Sequence, residues 1–161
     1  MNLLAILGYV GIWSLIGAAG FSLIVIILFR AKVVFAARNE KGHLKKEIPL
    51  KGILSMLAFL ILIVAFLVAA NYASLITKQI TLGYWSLFLL NMAIIFILIA
   101  YDTLVIDWWV IGLWRPSFLQ LPDAMNKTEM KKHIRRSFVI APIFGMLLAL
   151  VSAAVSVILW E

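Results

Sequence analysis

The sequence predicts an all-α polytopic membrane protein, folded as a four-helix transmembrane bundle, on the strength of three observations. Apolar residues make up 65% of the 161 positions and charged ones 13%, with a mean hydropathy of +1.12, whereas soluble domains run near half apolar and a quarter charged. Four stretches exceed the roughly 20 apolar residues needed to cross a hydrocarbon core. Nearly all Lys and Arg residues lie between the first and second stretches or between the third and fourth. No backbone polar group is left unpaired in lipid, so each stretch closes its own hydrogen bonds as a helix. The length suits a single transmembrane domain over residues 1–161.

The first span covers about residues 3–29. Its first basic residue, Arg30, follows the apolar run, so the positive n-region of a signal peptide is missing and the stretch reads as an uncleaved helix. Gly11, Ser14, Ala18 and Ser22 lie on one side of it. The loop 30–52 carries Arg30, Lys32, Arg38, Lys41, Lys45, Lys46 and Lys51. The second span, about 53–77, presents Ala58, Ala65, Ala69 and Ala73. After a polar turn around Lys78 comes the third span, about 82–106, and then the loop 107–137 with Arg115, Lys127, Lys131, Lys132, Arg135 and Arg136. The fourth span, about 138–160, sets Ala141, Gly145, Ala149 and Ala153 at i, i+4 spacing beside Ser152 and Ser156.

Lysine and arginine are retained on the cytoplasmic side. Only Lys78 falls on the opposite side, so both basic loops are expected in the cytoplasm and both termini outside it, in the cell membrane. Trp85 and Trp160 then mark the outer interface and Trp108, Trp109 and Trp114 the inner one, while Trp13 is a packing residue. Helices in lipid associate through small residues and a few hydrogen bonds. The small-residue faces therefore predict an antiparallel bundle. Asn126 followed by Glu129 resembles a capping box, which would start the last helix near Lys127 with a basic stem. Lys131, Lys132, Arg135 and Arg136 on that stem are expected to contact anionic lipid phosphates.

Between Leu82 and Trp114 the only charges are Asp102 and Asp107. With Trp108 and Trp109 at headgroup level, Asp107 is interfacial and Asp102 lies roughly two turns, about 9–10 Å, inside that level. An acid at that depth faces the bundle interior or a wet cavity, or pairs with a basic residue such as Arg30, Lys51 or Arg136. At about 100° per residue Tyr84, Asn91 and Asp102 share one stripe, whereas Asp107 points about 140° away, so the two acids cannot meet on one unbroken α-helix. Asn71 and Asn91 are expected to bond between helices.

Some chemistries are absent from the sequence. It has no cysteine, which removes thiolate ligands and nucleophiles. His43 and His133 have no ligand spacing around them, so no metal and no cofactor is expected. No phosphate loop or nucleophile elbow occurs, and no basic face sits on a soluble module, so nucleic acid is not an expected partner.

The segment DTLVIDWWVIGLWRPSF (102–118) resembles a stretch of small four-span bacterial integral membrane proteins in which IDW is followed by Pro-x-Phe. The resemblance marks these 17 residues as a unit and implies no catalytic residue. The chain differs from small multidrug transporters, which also have four spans, in having no acid in its first span.

These features favour a non-catalytic membrane interaction or assembly protein, acting as a homo-oligomer or with a membrane protein partner. One alternative is a proton- or cation-coupled transporter using Asp102 in a cavity lined by Tyr84 and Asn91. A second is an interfacial lipid-headgroup enzyme using Asp102, Asp107 or a histidine as acid or base.

Overall fold

The computed structural model describes residues 3–30, 50–77, 83–119 and 127–160. Lys78, His43, Asn126 and most of the first basic loop lie outside the described residues. So do the side chains of Lys51, Lys132, His133 and Arg136.

Four long helices form the fold, which is all-α among the described residues. Helix α1 runs Leu3–Arg30, α2 Leu50–Ile76, α3 Tyr84–Tyr101 and α4 Lys127–Trp160. Helix α3 continues without interruption into a π-helix, Asp102–Trp114, followed by a 3₁₀ turn at Ser117–Leu119. All four are long and apolar enough to cross a membrane, over Leu3–Leu28, Gly52–Ile76, Tyr84–Trp114 and Ser137–Trp160. Three of these windows match the sequence reading to within a residue or two. The third is a correction, because the helical run expected to end at residue 106 continues through 114.

Helices α3 and α4 form the principal pair; α1 packs on α3 and α2 on α4, whereas α1 and α2 stand further apart and meet through the aromatic pairs Trp13–Phe66 and Phe21–Phe59. The predicted small-residue face of α4 is the seam that holds the bundle. Gly145, Ala149, Ser152, Ala153 and Ser156 are all buried. At Gly145 a Cβ would stand 2.6 Å from Ile95 Cγ2 and 3.2 Å from Ile99 Cδ1, so the absent side chain sets how closely α3 approaches.

The expected contact face of α2 is a second correction. Ala58, Ala65 and Ala69 are exposed and Ala73 half-buried, while Leu67, Ala70, Asn71 and Ser74 are buried. Polar side chains in a lipid-facing position are costly. Asn71 and Ser74 therefore decide which face turns inward, ahead of alanines that lipid accepts readily.

The last helix begins with the expected basic stem. Lys131 and Arg135 are exposed on it, one turn apart, outside the apolar window. Together with Arg30 and Arg115 they define a basic end of the bundle, and the opposite end carries Gly83 and Trp160.

Candidate functional site

The π-helix is the unusual element of the fold, and it rearranges the acids. Its sequence, DTLVIDWWVIGLW, is crowded with β-branched and aromatic residues that lose rotamer freedom in an α-helix. It ends where Arg115 adopts φ 48°, ψ 59°, a left-handed conformation rare for a residue with a Cβ. Pro116 follows, removing a donor. The Arg115 N–H donates to the Val110 carbonyl oxygen at 2.8 Å, closing an i→i+5 ring.

Bonding five residues apart widens the turn to roughly 4.4 residues, or about 80° per residue. Two independent observations agree with that period. Trp109 and Trp114, five positions apart, stack with ring centroids at 5.8 Å and planes at 21°. Exposure recurs at Leu104, Trp108, Trp109, Leu113 and Trp114, while Thr103 and Ile106 are buried on the other side. An α-helix would scatter these exposed positions around its circumference.

The same period corrects the separation expected for the acids. On a π-helix Asp107 returns to within about 50° of Asp102, one turn along the axis. Both are half-buried, and the π-helical period brings Asp107 to the same side of the helix as Asp102, one turn nearer the basic end.

Asp102 lines a cavity of about 430 Å³ at the basic half of the bundle. Phe21 of α1, Phe59, Leu60 and Ile63 of α2, Leu98 and Ile99 of α3, and Ile140, Phe144 and Leu148 of α4 supply most of the wall. Among the described lining residues only Asp102 and Ser137 have polar side chains. The volume falls within the range of small-molecule pockets, about 300–1,000 Å³. Between α1 and α2, Phe21 and Phe59 meet edge to face at 5.7 Å and form the cavity's wall at that seam.

Beside Asp102, the Tyr101 hydroxyl lies 2.7 Å from Ser22 Oγ. Ser22 donates its only proton to the Ala18 carbonyl oxygen at 2.8 Å. Tyr101 is therefore the donor in the pair, and the bond fixes α1 to α3 at the cavity's edge.

The stripe predicted for the third span does not form one site. Tyr84 is half-buried at the start of α3, packed edge-on against Trp85 at 5.2 Å. Asn91 is fully buried, three turns from Asp102, and neither residue lines the cavity. Asn71 does bond between helices, donating from Nδ2 to Ser156 Oγ at 2.8 Å. Asn91 finds no such partner among the described residues: neither of its amide atoms is hydrogen-bonded. The Tyr9 hydroxyl, Ser14 Oγ, Asn71 Oδ1 and Thr103 Oγ1 are likewise buried and unbonded. Each such group costs on the order of 1–3 kcal/mol.

Phe21, Phe59 and Ser137 are site residues that sequence reasoning missed. The aromatic pair carried no signal, because a cavity wall depends on how helices pack. Among the described residues no group of three could hold a metal ion. No family model, curated protein or solved structure matches the chain.

Proposed function

We propose that the protein binds an apolar molecule carrying one cationic group, as a membrane-embedded carrier whose counter-charge is Asp102. The observation behind this reading is a single carboxylate, joined only by the Ser137 hydroxyl among the polar side chains described, in a largely apolar cavity of ligand size built from all four helices. Such a lining favours burial of a hydrophobic body, while one acid selects the charge it accompanies. The charge distribution supports placing the basic end in the cytoplasm, which puts the cavity in the inner-leaflet half of the membrane. Lys131, Lys132, Arg135 and Arg136 then lie at the level of anionic lipid phosphates.

Equilibrium binding of tetraphenylphosphonium to the full chain in nanodiscs tests the reading. Saturable binding should weaken by about 10–100-fold in Asp102→Asn, equivalent to about 1.4–2.7 kcal/mol, and stay unchanged in Trp85→Phe at the far end. Equal affinity in wild type and Asp102→Asn would refute it.

A second reading, self-association or assembly with another membrane protein, is favoured by the small-residue stripe Ala58–Ala65–Ala69 on α2, which is exposed among the described residues. Small residues at such spacing let helix backbones approach closely in lipid. A single cysteine at Ala65 should crosslink to a dimer in native membranes; a monomer under full oxidation counts against this reading.

A further inference from the structure

The Asp102 cavity is polar at one end only. Gly145 of α4 faces Ile95 and Ile99 of α3, which fixes the register of this antiparallel pair. Asp102 lies within a turn past Ile99, and Ser137 two turns before Gly145. The two polar side chains among the described lining residues therefore fall together at the basic end, within about 5 Å of each other along the axis. From Asp102 outward to Ile95 the wall is apolar for about 10 Å.

The outer end is blind. Ile63, Ile95 and Leu148 are the outermost lining residues on α2, α3 and α4. One turn further out on the same three helix faces stand Leu67, Asn91 and Ser152, each with 0% exposure, so the bundle is packed shut above the cavity. The space is also elongated: its α4 lining runs from Ser137 to Leu148, about 16 Å of axis, whereas a sphere of 430 Å³ would be only about 9 Å across. The apolar window of α4 begins at Ser137, and half of a hydrocarbon core is about 15 Å thick. The cavity thus has the depth of one leaflet.

We propose that the ligand is a single-chain amphiphile with an ammonium head, its head at Asp102 and Ser137 and its chain running along α3 and α4 to end against Ile63, Ile95 and Leu148. This rests on the reading of Asp102 as the counter-charge of a cation, and narrows the apolar body to a chain. The carboxylate supplies the opposite charge, and the Ser137 hydroxyl offers an acceptor to an ammonium N–H. An anionic head would instead set like charges side by side at low dielectric. Head toward the basic end and chain toward the midplane is also the orientation an amphiphile already holds in that leaflet, so entering the cavity requires no inversion. The space is long and narrow, which suits one chain laid lengthwise.

Two long-chain alkylammonium photoprobes test the inference on the full chain in nanodiscs, one with its diazirine beside the ammonium group and one with it at the far end of the chain. Mass spectrometry of the products should place the first at residues 137–141 and the second at Leu148 and Ile63. Ile143 and Leu147 are exposed on α4 at similar depths and do not line the cavity, so they report labelling from the bulk leaflet. Cavity positions should exceed them several-fold. Asp102→Asn should lower cavity labelling several-fold and leave these two residues unchanged, and excess tetraphenylphosphonium should do the same in wild type if the variant fails to fold. Cavity labelling no higher than at Ile143 and Leu147, or the same residues marked by both probes, would overturn the inference. If that happens while tetraphenylphosphonium binding still depends on Asp102, the chain is refuted and the counter-charge stands. If neither probe labelling nor tetraphenylphosphonium binding depends on Asp102, both readings fall.

Discussion

Substituting Gly145 by alanine tests whether the α3–α4 contact depends on the missing side chain. The new Cβ would lie 2.6 Å from Ile95 Cγ2 and 3.2 Å from Ile99 Cδ1, against a favourable carbon–carbon separation of about 3.5–4.0 Å. An overlap of about 1 Å has to be relieved. Ile95 is only 5% exposed, and a β-branched side chain in a helix has one strongly preferred rotamer, so the helices must separate. Overpacking of this kind costs about 1–3 kcal/mol. The identity of the clashing atom sharpens the test. Valine at position 95 keeps both Cβ branches and should not rescue Gly145→Ala, whereas leucine removes the branch and should. Reversible unfolding in mixed detergent micelles gives the stabilities, and the coupling between the two sites should reach about 0.5–3 kcal/mol. Gly145→Ala within experimental error of wild type, or rescue by valine as complete as by leucine, would refute this account of the contact.

The π-helix is open to a chemical ruler, since the native chain has no cysteine. Trp109→Cys with Trp114→Cys should oxidise readily, because i and i+5 Cα atoms stand about 6 Å apart on a π-helix and about 8.6 Å on an α-helix, the latter beyond disulfide reach. The equally spaced pair Met92→Cys with Ile97→Cys in α3 should stay reduced; oxidation of both pairs or of neither would refute the register. Tyr101→Phe and Ser22→Ala each remove the same interhelical bond, so each should cost about 0.6–1.7 kcal/mol and the double variant little more than either single one. Additive losses in micellar unfolding would show that the two hydroxyls act separately.

Much of the fold is legible in the sequence because lipid imposes few solutions. Length, hydropathy and the placement of lysine and arginine bound the spans, and the spacing of Gly145, Ala149 and Ala153 marks the seam on α4. The inward face of α2 follows Asn71 and Ser74 and not the alanine spacing, because lipid accepts an alanine face and penalises a polar one. The angle between Asp102 and Asp107 escapes the sequence for a different reason. Projecting a sequence onto a helix assumes a hydrogen-bond offset, and no residue type announces an offset of five. The recurrence of large apolar residues at 104, 108–109 and 113–114 carried that period, and Pro116 marked its end. The cavity had no local signature, since Phe21, Phe59, Leu98 and Phe144 read as ordinary lipid-facing or core residues until four helices are placed around them.

The seam between α1 and α2, where backbones stand apart and Phe21 and Phe59 meet at the cavity, has a consequence for how ligands are ranked. A guest that enters between these helices arrives from the bilayer and not from bulk solution. Its working concentration is the concentration dissolved in lipid, which for a lipophilic cation exceeds the aqueous one by its partition coefficient. Potencies measured against aqueous dose would then follow oiliness across a compound series even if every member fitted the cavity equally well. Selectivity of the cavity itself emerges only when dose is expressed per volume of membrane, and two compounds of equal partitioning are the proper comparison.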